Sequence, residues 1–215
     1  IPGTNPTRSF AMDAHFDSVP YGPGGADDLA GVSAMLETAR AIKAGPPLRN
    51  DIVFVFADAE EYSGGGAKAF RENPLFEYVG VMLGLEARGS SGASLMFETT
   101  DQNGWVIGEM AKSGCSPRAT SIMFDFYKRL PFASDFNNYK HDLPDDTHRA
   151  AGLNIAFVDE FGNYHTRLDN AENCNLASLQ HHGEYCLKLA RHFGSLDMSG
   201  DLRAPNATYL NVIGS

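Results

Sequence analysis

Short apolar runs that end abruptly in charge punctuate this chain. Ile52 to Ala57 reads Ile-Val-Phe-Val-Phe-Ala and stops at Asp58-Ala59-Glu60-Glu61. Such a run, rich in β-branched and aromatic residues, suits a strand covered on both faces. Val79 to Leu85 ends the same way at Glu86, and Leu153 to Val158 runs into a Phe161 to Thr166 loop that carries His165. Ser9 to Ala14 alternates instead, with Phe10, Met12 and Ala14 in step, and reads as a strand ending at His15. Ser94 to Glu98 fits a further strand. Between the strands, Leu29 to Ala44 carries Val32, Met35, Leu36, Ala39 and Ile42 at helical spacing and closes at Gly45-Pro46-Pro47. Ala67 to Arg71, Trp105 to Lys112 and Leu176 to Phe193 read as further helices. Strands alternating with helices predict an α/β sandwich with a largely parallel sheet.

Polar groups at the carboxyl ends of strands in an open α/β sheet face the crevice where ligands bind. Five clusters fall at or near such ends: His15-Phe16-Asp17, Asp27-Asp28, Glu60-Glu61, Glu86 and His165. Each has an ordinary explanation when taken singly. An Asp-Asp before a helix caps it, a Glu-Glu pair lies on a solvated face, and Glu86 could pair with Arg88. Together, two His and several carboxylates converging on one crevice can hold a pair of divalent ions. Mixed His and carboxylate ligands favour zinc, with cobalt or manganese able to substitute. Two ions about 3.5–4 Å apart can share a hydroxide and polarise a carbonyl, and a carboxylate beside that water is the natural general base.

The remaining histidines fit this scheme less well. His181 and His182 lie in the last helix, where one packs and the other is exposed. His192 falls near that helix's end, and His141 and His148 fall in a polar, Asp-rich stretch read as a surface loop. Asp13 interrupts the first strand, which an edge or solvent-facing position explains.

The bulk numbers exclude other classes. A net charge of −10 argues against a nucleic-acid backbone as partner. With 215 residues, the chain suits one domain, and no apolar run approaches a membrane span. We divide it into a domain over residues 1–199 and a tail over 200–215. Three Cys, an odd count with no CxxC pair, read as isolated thiols. The start at Ile1-Pro2-Gly3, with no initiator Met, reads as an excised piece of a longer protein.

Taken in order, the clusters resemble the M28 family of zinc aminopeptidases and carboxypeptidases. The matching segments are Ala14-His15-Phe16-Asp17-Ser18, Gly25-Ala26-Asp27-Asp28, Ala59-Glu60-Glu61, Leu85-Glu86-Ala87-Arg88-Gly89 and Tyr164-His165-Thr166. The resemblance implies a three-layer sandwich with a mostly parallel, mixed central sheet, lacking the N-terminal helix and strand with which such domains begin. It implies that His15, Asp27 and Glu86 hold one zinc, and Asp27, Glu61 and His165 the other. Asp27 would bridge, with a cis peptide to Asp28. Glu60 would be the general base, Asp17 would support His15, and Tyr164 would steady the oxyanion.

Glu at position 86, where many secreted relatives place Asp, resembles the branch with vacuolar or membrane-anchored members. So do Phe97-Glu98-Thr99, Asn103-Gly104-Trp105, Arg129-Leu130-Pro131 and Ser134-Asp135-Phe136. That branch implies an extracytoplasmic location and a membrane anchor outside this chain. The missing start implies a sheet edge left open or covered by another chain. The expected activity is a di-zinc exopeptidase, an aminopeptidase acting on a peptide or small aminoacyl substrate. The alternatives are a single-zinc transferase resembling glutaminyl cyclases and a non-catalytic receptor or scaffold.

Overall fold

A computed structural model describes residues 1–140 and 150–211. Six strands form one mixed sheet: β1 (Ser9–His15), β2 (Ile52–Ala57), β3 (Val79–Ala87), β4 (Leu95–Thr99), β5 (Arg118–Ala119) and β6 (Ala151–Phe157). Their spatial order is β2-β1-β3-β6-β4-β5. β2, β1, β3 and β6 run parallel, and β4 is antiparallel to β6. After β1 the chain places β2 on one side and β3 on the other. The strand order therefore reverses at β1, and a crevice opens at the carboxyl ends of β1 and β3.

Among the described residues seven α-helices flank the sheet: α1 (Leu29–Lys43), α2 (Glu60–Ser63), α3 (Gly65–Arg71), α4 (Gly104–Lys112), α5 (Ser121–Tyr127), α6 (Phe136–Lys140) and α7 (Leu176–Ser195). Strand alternation sorts the core. Phe10, Met12 and Ala14 of β1, with Val81, Leu83 and Leu85 of β3, join a cluster holding Met35 of α1 and Tyr185, Leu189 and Phe193 of α7. Phe10 and Phe193 stack at 5.3 Å. Ala11 and Met82 point the other way, into a cluster with Ala67, Phe76, Phe136 and Tyr139. Close approach of α6 requires small residues beneath it: a Cβ on Gly152 would meet the Phe136 ring at 2.5 Å.

Several sequence expectations change. Asp13 is neither at an edge nor in solvent: β1 is flanked on both sides, and Asp13 is 2% exposed. β2 is one of the two edge strands, its apolar run is not fully covered, and Phe56 is 39% exposed. Ile1 pairs with the first residue of β2 through reciprocal hydrogen bonds of 2.7 and 2.9 Å to Ile52. α5 extends to Tyr127, a helix the sequence reading does not mark. Residues 200–211 lie against the body, with Leu202 buried in the main core and Leu210 bridged to Thr120. The polar stretch 141–149, with His141 and His148, lies outside the described residues. His182 is fully buried and His181 half-buried, on Ser94 and Ser116. Cys115, Cys174 and Cys186 are all free thiols.

Candidate metal centre

His15 ends β1, and its ring is fixed from behind. Nδ1 lies 3.0 Å from the Asp17 carbonyl oxygen. A carbonyl only accepts, so Nδ1 carries the proton and Nε2 is left as a lone-pair donor aimed into the crevice. The Asp17 carboxylate does something else. Its oxygens accept from the main-chain N–H groups of Glu60 (3.0 Å) and Glu61 (3.2 Å). It thus pins the first turn of α2 to the end of β1, where the free N–H groups of a helix start favour an anion.

The Asp27–Asp28 peptide is cis. Asp28 caps α1, accepting from the N–H of Gly31 at 3.2 Å. Asp27 faces the crevice, and its two oxygens are divided. Oδ1 is 3.3 Å from His15 Nε2, and Oδ2 is 3.2 Å from His165 Nε2. His165 Nε2 also lies 2.8 Å from Glu61 Oε1. One donor atom each from His15, Asp27 and Glu61 falls within a 4.8 Å span. Glu60 Oε2 stands 3.9 Å from His15 Nε2. Glu86, 5% exposed near the end of β3, lines the same cleft of about 480 Å³ with Glu60, Glu61 and Tyr164. The Tyr164 ring stacks on His165 at 3.6 Å.

Charge at the centre is unbalanced. Burial first, then neighbouring Glu60, pushes Glu86 well above the usual carboxylate range. Burial also raises Glu60, to about 7, against the pull of His15 and with the push of Glu61. Burial would raise Asp27 too, but His15 and His165 outweigh it and hold it low. His15 Nε2 and Glu61 Oε1 are buried without a well-formed hydrogen bond among the described residues. Orphaned donors surrounded by excess negative charge fit a divalent cation, and two imidazoles with carboxylates suit zinc.

Some contributors escaped the sequence reading. Asp169 accepts from the N–H of Ala26 (2.7 Å) and of Asp27 (3.4 Å), fixing the loop that carries the bridging carboxylate. Asp135 is buried with both oxygens unpaired among the described residues, and burial and Glu60 raise it to about 7. Beneath them, burial and then Asp135 hold Asp13 well above its ordinary range. No local pattern marks Asp169, whose contact spans more than 140 residues of chain. Asp135 had a signal in the Ser134-Asp135-Phe136 stretch, which gave it no role; in the structure it stands directly before α6.

Fold and donor set together define an α/β domain with a candidate site for divalent metal at the carboxyl ends of its central strands. The model of peptidase family M28 matches residues 1–190, and the chain belongs to that family. It is 28% identical over 213 residues to endoplasmic reticulum metallopeptidase 1 of Mus musculus, covering 96% of this chain and 23% of that protein. It is 30% identical over 211 residues to the vacuolar membrane protease of Candida dubliniensis, covering 96% of this chain and 21% of that protein. The chain thus spans less than a quarter of the length of these relatives. Among solved structures, it is similar to BSAP, a zinc aminopeptidase from Bacillus subtilis, with a TM-score of 0.64 and 18% identity over 94% of this chain and 50% of that one. A glutaminyl cyclase from an Acidobacteriales bacterium matches with a TM-score of 0.64 and 15% identity, over 90% of this chain and 71% of that one. At these identities, the likeness to both structures is one of fold. No helix among the described residues is long and apolar enough to cross a membrane.

Proposed function

We propose that this domain is a di-zinc exopeptidase that removes the first residue of a peptide, an aminopeptidase. The divided carboxylate of Asp27, with one oxygen toward each histidine, carries the reading. His15, Asp27 and Glu86 would hold one ion, and Asp27, Glu61 and His165 the other. When bound, zinc supplies Lewis acidity toward the scissile carbonyl and lowers the pKa of water. Glu60 takes the proton of the attacking water and returns it to the leaving amine. Its place is set by the grip of Asp17 on the α2 turn. The Tyr164 hydroxyl donates to the oxyanion as it forms. Acidic groups around Glu60 hold the free substrate amine.

An extracytoplasmic site of action, with a membrane anchor outside this chain, accords with the names of the endoplasmic reticulum and vacuolar membrane relatives. Metal analysis with the Glu60→Ala variant tests the activity. Two zinc ions per folded chain are expected. The variant should keep them while hydrolysis of aminoacyl anilides falls about 10²- to 10⁴-fold. Full activity in Glu60→Ala, or a properly folded protein that takes no metal, sinks the reading. One zinc with pyroglutamate formation would favour the cyclase chemistry instead.

A further inference from the structure

Arg88 is the unexplained cation of the cleft. It stands two residues beyond Glu86, so both side chains leave the strand end on the same side, and both line the cleft. Its main-chain N–H continues the pairing of β3 with β6, donating to Phe157 at 3.0 Å. The guanidinium is walled by aromatic rings, 4.9 Å from the centre of Phe132 and 5.7 Å from that of Tyr164. One Nη donates to the carbonyl of Ala133 at 3.1 Å. Nε is buried with no partner, and the side chain forms no ion pair among the described residues.

A guanidinium has five N–H donors in a planar fork that matches a carboxylate. Here that fork is oriented by aromatic rings and one main-chain carbonyl, and most of its donors have no partner among the described residues. Among the described residues no carboxylate closes an ion pair with this half-buried cation; Glu86 favours its charge only through space. Balancing Glu86 through space would need only a charge, with neither the aromatic walls nor the anchored Nη. Lys68 lines the same cleft and adds positive charge on the side of α3.

We propose that Arg88 is a specificity-determining residue that receives a carboxylate of the substrate beside the metal centre. This rests on the peptidase reading above. The carboxylate is either an acidic side chain on the first residue or a free α-carboxylate one residue beyond the scissile bond. Both offer the same two-oxygen acceptor to the fork.

Paired substrates separate the sources. Glutamyl against glutaminyl p-nitroanilide isolates the side chain, and alanyl-alanine against its amide isolates the α-carboxylate. The zinc-loaded parent should favour the charged member of one pair by about 10- to 100-fold, the range of a hydrogen bond to a charged group. Arg88→Gln should bring that ratio to about one, mainly through KM. Arg88→Lys keeps the charge without the fork and should retain part of the preference. It also serves if Arg88→Gln does not fold. Calorimetric titration with the same charged and amide ligands reads the preference without turnover. A protein that hydrolyses nothing therefore fails as a peptidase while Arg88 is still judged by binding. Ratios near one for both pairs in the parent, or ratios that Arg88→Gln and Arg88→Lys leave unaltered, overturn the proposal.

Discussion

Two glutamates buried to nearly the same degree have opposite fates. Glu86 lies one residue before the end of β3 at 5% exposure, and Glu98 sits in β4 at 2%. Glu98 is fully engaged by protein. One oxygen pairs with Lys140 and the other accepts from Asn154 at 3.2 Å, its cross-strand neighbour. Asn154 reaches on to Ser134 at 3.0 Å. Glu86 has no ion-pair partner among the described residues, and its neighbours in the crevice are mostly acids. A buried carboxylate held by a cation is part of the scaffold. One surrounded by other carboxylates is a position that a cation from outside would complete.

The largest effect should come from breaking the unpaired member. Glu86→Gln should lower zinc affinity at one site on the order of 100-fold or more. Zinc titration followed by spectrometric metal counting reads this, and the metal-free fold should be no less stable than the parent. Next, Glu98→Gln should leave zinc content alone and destabilise the fold by about 1.5–3 kcal/mol, because Lys140 loses a charged partner. Denaturant midpoints check it. If Glu98→Gln strips metal, or Glu86→Gln only unfolds the chain, the contrast is wrong.

A support of the bridging carboxylate comes third. Asp169→Ala frees the N–H groups of Ala26 and Asp27 and should weaken zinc binding about tenfold, the lower end for a group that orients a ligand.

The smallest effect concerns a histidine that belongs with Glu98 rather than with the metal centre. His182 is fully buried on Ser94, and burial pushes it down to about 3 from an ordinary 6.5. The folded state therefore refuses a proton that the unfolded chain accepts below pH 6.5. Stability is present above that pH and falls by about 1.4 kcal/mol per unit as pH drops below it. His182→Gln should remove that slope relative to the parent, as urea midpoints at pH 7.5 and 5.5 would reveal.

Much of the frame was legible from local pattern. The apolar runs at β2, β3 and β6 and the helical spacing of α1 and α7 mark their elements to within a few residues, because burial dictates residue type along each element. The pattern alone read Asp27 and Asp28 together as a cap; it was the resemblance that set Asp27 apart from Asp28. Asp13 was misread because its surroundings depend on which strands lie beside β1, and strand order is not written in a strand's own residues. Arg88 was within reach: its i+2 spacing from Glu86 places both on one side of a strand. Asp169 was not, since its partners Ala26 and Asp27 lie more than 140 residues away.

By itself, the sequence determined the alternation of strands and helices, the family, and which residue types gather at strand ends, because these follow from local periodicity and from short ordered motifs. Tertiary structure alone decided that the Asp17 carboxylate grips the turn bearing Glu60, that Asp169 fixes the loop of Asp27, and that Glu86 and Glu98 part company. Those outcomes depend on the strand order β2-β1-β3-β6-β4-β5, which brings distant segments within hydrogen-bond reach.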